Sequence, residues 1–174
     1  MKKSLKLWQI IGFAFTGIWG VLLHFLYDWT NQSVFAAPLS AVNESIWEHM
    51  KLLFFPTFVF ALIEYGFIGK SIENYWCVKL FGISSGLILI PIIYYSYTGV
   101  FGVNADWFNI VIFFIASAAA YYLETLLFKN RISCRFNTTA FIILCVIALL
   151  FIVFTFVQPQ IPIFRDPATG SYGR

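Results

Sequence analysis

The residues able to do chemistry concentrate in two short stretches, His24-Phe-Leu-Tyr-Asp28-Trp29 and Val42-Asn43-Glu44-Ser45-Ile46-Trp47-Glu48-His49. They hold both histidines of the chain and three of its eight acids. His24-x-x-x-Asp28 is an i,i+4 pair, the spacing at which two side chains on one helix face grip one ion or each other. Imidazole nitrogen and carboxylate oxygen are both zinc ligands. A carboxylate behind a histidine can instead orient and charge the ring, and a hydrogen-bonded lock at the end of a helix is the third reading. Glu48-His49 offers the same two ligand types on the next segment. His24, Asp28, Glu48 and His49 are therefore the candidate metal ligands and the candidate catalytic groups, since four such groups can hold a divalent ion that activates water. Glu44, Asn43, Asp106, Tyr94 and Arg165 are the candidate ligand-binding residues around them.

Each stretch also has a plainer account. Ser45-x-x-Glu48 fits a capping box, with the serine taking one free N–H of a helix start and the glutamate reaching back for another. Asn43 can cap in its place, acids in a first turn suit the helix dipole, and Lys51 lies where it can neutralise Glu48. These accounts cover Glu48, part of Glu44 and nothing of His49.

The elements that must carry these residues follow from composition. Apolar residues make up 60% of the 174 and charged ones 11%, against roughly 25% charged in a soluble domain; mean hydropathy is +0.82. A membrane-crossing helix needs about 20 mostly apolar residues, and five segments qualify, approximately 7–27, 46–68, 80–97, 107–128 and 138–157. Lipid offers no partner for backbone N–H and C=O, so spans are helices or closed barrels, and the polar/apolar alternation of barrel strands is missing. The fold class expected is an all-α integral membrane protein, a five-helix transmembrane domain over 1–157 with a tail over 158–174. The start, Met-Lys-Lys-Ser-Leu-Lys, imitates a secretory signal, but the apolar run behind it exceeds an h-region of about 7–15 residues and reads as an uncleaved first span.

Cations in short loops mark the cytoplasmic side. With five spans, Lys2, Lys3, Lys6, Lys70, Lys79, Lys129, Arg131 and Arg135 share one side, and Lys51, Arg165 and Arg174 the other. The expected orientation is N-terminus cytoplasmic and C-terminus extracytosolic, with both chemistry-bearing stretches outside. Trp29, Trp47 and Trp107 read as an aromatic belt there, with Trp8 and Trp76 as inner counterparts. Divided among short loops, the cations form no stripe, so no nucleic-acid partner is expected; the partner implied is the bilayer, with a lipid-like ligand.

Small residues indicate which faces pack. Gly17, Gly20, His24 and Asp28 share one stripe of the first helix, Gly82 and Gly86 mark the third, and Ala116, Ala120 and Glu124 form a row on the fourth. His49, Leu53, Pro56, Phe60 and Glu64 form an inward stripe on the second. The fifth span, without charge or a strong small-residue face, belongs at the bundle edge. Glu64 and Glu124 are buried acids near the inner end, paired with Lys70, Lys79 or Lys129, or else part of a proton relay. Cys77, Cys134 and Cys145 show no metal or redox spacing and read as structural thiols. The stretch 30–42 can dip into the interface as a lid, and the tail carries enough apolar residues to dock, with Arg165 able to reach the outer acids.

The segments HFLYDW (24–29), VNESIWEHMKLLFFP (42–56) and DPATGSYG (166–173), in this order, resemble a family of small multi-pass bacterial membrane proteins classed as a domain of unknown function. The resemblance covers essentially the whole chain and implies a bacterial cytoplasmic membrane, with no activity to carry over. The readings that remain are a polar His/Asp/Glu site at the outer face, metal-binding and directed at a lipid-like or amphipathic ligand; a non-catalytic assembly or binding subunit; and a small proton-coupled transporter, which the lack of an internal repeat disfavours.

Overall fold

The computed structural model describes residues 2–130 and 134–173, apart from the side chains of Lys2, Lys3 and Asp106. Five helices form it: α1 (Lys2–Trp29), α2 (Ile46–Phe67), α3 (Tyr75–Phe101), α4 (Asp106–Asn130) and α5 (Asn137–Phe156). All five are long and apolar enough to cross a membrane. Among the described residues the only β pairing is a single bridge, Arg165 to Tyr172 in the tail. Connections are short except for 30–45, so successive helices run antiparallel. α4 packs most closely on α3 and also on α1, α2 lies between α1 and α3, and α5 leans chiefly on α3.

Glycines set the closest approaches. A Cβ added at Gly20 would overlap the Phe113 ring and lie 3.2 Å from the Leu52 carbonyl oxygen, so α1, α2 and α4 meet at that point. Gly86 sits against Leu53, the Ala116 carbonyl and Ala120, which brings α3 onto α4. The outward faces stay apolar, as with Ile142, Val146, Leu149 and Val153 on α5. Water would penalise so large an apolar exterior, whereas hydrocarbon would not.

Several boundaries differ from the sequence reading. α3 starts at Tyr75 and continues to Phe101, because Tyr75 and Trp76 are buried aromatics instead of interfacial ones. Lys79 therefore belongs to the helix, fully buried, and drops out of the loop cations; Lys51 drops out of the opposite tally in the same way. Trp47 packs among Phe151, Phe154 and Phe164, and Trp76 against Tyr65 and Phe141. Only Trp29 and Trp107, both well exposed, keep the geometry of a belt at that end.

The thiol reading is corrected for two cysteines. Cys77 and Cys134 form a disulfide, with Cα atoms 6.5 Å apart, leaving Cys145 free and exposed. The early start of α3 puts Cys77 in its first turn, beside the segment leading into α5. Asn137 reinforces that junction: its Oδ1 accepts from the Trp76 N–H at 2.8 Å and the Cys77 N–H at 3.2 Å, satisfying two free donors of the α3 start.

Gly20→Val should lower stability by about 1–3 kcal/mol, the usual cost of overpacking, in thermal unfolding of detergent-purified protein. Gly99→Ala, whose added Cβ would meet nothing within 4 Å, serves as the control without overpacking.

Candidate metal centre

The Gly20 contact determines which side chains come next along each helix. One turn outward on α1 is His24; one turn back from Leu52 and Leu53 on α2 is His49. The two imidazoles face each other with ring centroids 5.8 Å apart. Glu44 reaches over them from the loop before α2. Its Oε2 lies 3.5 Å from His49 Nε2 and its Oε1 3.8 Å from His24 Nε2. One ligand atom from each of the three residues falls within 4.8 Å of the others. Two ligands of a tetrahedral zinc, each about 2.1 Å from the ion, stand about 3.4 Å apart, so small side-chain movements would close this group on an ion.

Local chemistry sets the geometry. Asn43 Oδ1 accepts from the Ser45 N–H at 3.0 Å, an Asx-turn that fixes the peptide carrying Glu44. Ser45 is the α2 N-cap and its hydroxyl accepts from the Glu48 N–H. His49 Nδ1 lies 2.9 Å from the Ser45 carbonyl oxygen. A carbonyl only accepts, so Nδ1 carries the proton, and whenever the ring is neutral its lone pair is at Nε2, toward Glu44. This is how histidine ligands are usually oriented in metal sites. His24 Nδ1 is buried without a hydrogen-bond partner in the structure, so His24, unlike His49, has no second contact that sets its tautomer.

The four residues first expected to converge do not all do so. His24 and His49 meet, but Asp28, one turn further along α1, is exposed and outside the cluster. Glu48 is buried on another side of α2. Its Oε2 accepts from the Val42 N–H at 3.1 Å and lies 2.5 Å from Lys51 Nζ. The capping box is thus half formed: the serine caps, while the glutamate turns to Val42 and Lys51. Lys51 also donates to the Ala37 carbonyl at 2.9 Å and to Thr155 Oγ1 at 3.0 Å.

The expected ligand-binding residues divide similarly. Tyr94 and Asn109 join His49, Ile46, Ile90, Ile112 and Phe113 around a narrow cleft of about 10 Å³, the room of one water. Asn43 is a brace, its Nδ2 donating to the Gly173 carbonyl at 2.9 Å. Arg165 folds back on the Gly170 carbonyl at 3.2 Å and so serves its own turn. The Asp106 side chain lies outside the described residues. The tail docks through Phe164, buried between Trp47 and Phe154. Trp47 and His49 are about 200° apart around the helix, so at Phe164 the tail packs on the side of α2 away from the imidazoles, while its end returns to Asn43 beside Glu44 through Gly173.

Glu64 and Glu124 meet at the opposite end of the bundle, where Lys79 Nζ lies 2.5 Å from Glu64 Oε2 and 2.6 Å from Glu124 Oε2. Sequence reasoning missed Gln9, Thr16 and Thr57 as interior polar residues and Asn109 as a half-buried one, because single polar positions inside apolar runs carry no period. It also placed Glu44 among the neighbours instead of the ligands.

The whole chain, residues 1–174, matches the model of DUF6512, a family of unknown function. No curated protein and no solved structure matches.

Lys51→Met strands the buried Glu48 carboxylate and should cost about 3–5 kcal/mol. Adding Glu48→Gln should recover much of that loss, a coupling that unfolding of the two singles and the double will measure.

Proposed function

We propose that this chain, which belongs to the DUF6512 family, is a multi-pass protein of the bacterial cytoplasmic membrane that holds a divalent metal ion on His24, Glu44 and His49 at its extracytosolic face. The observation that carries this reading is the convergence of two Nε2 atoms on one carboxylate, with the His49 tautomer set by the Ser45 carbonyl. Two histidines and one glutamate form a three-ligand set of the kind found in catalytic zinc sites, which keep a further position for water or substrate. Glu44 is half exposed, so that position opens outward. A bound ion would supply Lewis acidity and a more acidic bound water.

The surroundings favour an amphipathic ligand. Trp29, Phe35, Phe101 and Trp107 are exposed around this end of the bundle, and aromatic residues settle at the headgroup level. Phe35, 93% exposed, stands at the tip of the 30–42 segment and would enter the interface beside the metal. A headgroup oxygen drawn to the ion, with its chains along these aromatics, is the substrate geometry that this end fits. The alternative is a lock without chemistry, in which Glu44 pairs with protonated imidazoles to hold α1 to α2.

Metal analysis of the purified protein separates the two. Wild type loaded with zinc or manganese should retain close to one ion per chain, and His49→Ala or Glu44→Gln should retain little, while Asp28→Asn matches wild type. Loading should fall on acidification, because imidazolium has no lone pair for a metal. At a free ion concentration of about 100 times Kd, wild type should gain about 2.7 kcal/mol of stability, and the two ligand variants should not. Equal, trace metal in all four proteins would leave the lock. Orientation has its own check: Phe35→Cys, in a Cys145→Ala background, should react with a membrane-impermeant thiol reagent on intact cells. Labelling only after lysis would reverse the topology.

A further inference from the structure

The opposite end of the bundle holds an uneven count of charges. Two carboxylates, Glu64 of α2 and Glu124 of α4, share one ammonium, Lys79 of α3, and all three side chains are fully buried. With every group ionised the triad carries a net charge of −1, which a site closed to water tolerates poorly. Three of the four carboxylate oxygens are occupied. Glu64 Oε1 accepts from Gln9 Nε2 at 3.0 Å, Glu64 Oε2 faces Lys79 and the Tyr75 hydroxyl at 2.9 Å, and Glu124 Oε2 faces Lys79. Glu124 Oε1 is buried with no partner.

The triad is linked to a groove through Gln9, although none of its own three side chains lines that groove. The groove, of about 330 Å³, runs between α1 and α4, lined by Gln9, Phe13, Tyr121 and Thr125 with Lys6 among its residues. Gln9 is the residue that bonds Glu64, and its own Oε1 is a second buried acceptor without a partner. Toward the histidines the polar contacts continue through the Tyr121 hydroxyl to Thr16 at 2.8 Å and on to Thr57 at 3.3 Å. They stop where Phe113 closes on Gly20.

We propose that the Glu64–Lys79–Glu124 triad binds one exchangeable proton, carried on Glu124 Oε1, and that the α1/α4 groove connects it to the aqueous phase. A hydronium ion entering by the groove gives up its proton on the Gln9 side of the triad, an O–H bond forms on Glu124, one water molecule is released, and the net charge of the triad goes from −1 to zero. The groups that bias the proton are Lys79 and Tyr75 from α3, Glu64 from α2 and Tyr121 from α4 itself. α1 contributes neutral Gln9, with Lys6 at the groove.

Infrared difference spectra of the full chain in lipid vesicles, titrated between about pH 9 and pH 5, test this. Wild type should gain a carboxylic-acid C=O band that shifts in D2O, and Glu124→Gln should lose it. Glu64→Gln should lose it too, because one carboxylate facing one ammonium needs no proton. A wild type without the band, or a band that survives in either variant, overturns the proposal; thermal unfolding of each variant confirms that a lost band comes from a folded protein. Ala118→Trp, which fills the groove, should slow deuterium exchange of the band by about tenfold, a modest added barrier. An unchanged rate would reject the groove as the route.

Discussion

Two buried lysines, Lys79 held by carboxylates of two neighbouring helices and Lys51 by Glu48 of its own helix with polar groups of the loop and α5, fix how the bundle is assembled. Apolar helix faces can slide or rotate against one another with small changes in energy, since lipid is as apolar as the core and gives no hydrophobic drive to a particular register. An ammonium group is different. Lys79 must meet Glu64 and Glu124 together, and that is satisfied in one rotation of α2, α3 and α4. A buried ion pair is weak evidence for net stability, because desolvation offsets much of the attraction. Its effect here is selective: any other arrangement leaves a charge unpaired.

Lys51 ties segments together at the other end through its neutral acceptors, and the candidate centre follows from it. Its ammonium joins Glu48 in α2, the Ala37 carbonyl in the long loop and Thr155 in α5. Glu48 in turn holds the Val42 N–H. The loop is thereby anchored on both sides of residues 38–41, and the chain enters the Asn43–Ser45 turn from a fixed point. The sequence stretch with two acids and one histidine divides into a structural carboxylate and a site carboxylate, three residues from the cap on one side and one on the other.

That division marks how far the sequence could be read. The five spans were legible because hydropathy over twenty residues averages out local detail, and the glycine stripes because only small residues permit close helix contacts. The pairing of His24 with His49 was legible from their position at facing ends of adjacent antiparallel helices. Which acid joins them was not: Glu44 lies outside the helix, where periodicity says nothing, and its direction depends on an Asx-turn. Lys79 was misplaced because its run of apolar residues begins just after it, so it looked like a flank. The Cys77–Cys134 bond was hidden for the same reason, since it depends on where α3 starts.

The two polar ends are held apart by a close helix contact in the middle of the bundle. The Phe113 ring occupies the space that a side chain at residue 20 would need, backed by the Leu52 carbonyl. Thr16, Thr57 and Tyr121 satisfy one another on one side of it, and the cleft at His49, Tyr94 and Asn109 lies on the other. A continuous file of hydrogen-bonding groups through a bilayer would let protons leak, and a solid apolar core would leave the interior acids without neighbours. An aromatic ring seated on a glycine avoids both outcomes. It leaves each end its own polar groups, the imidazole cluster on one side and the carboxylate triad on the other.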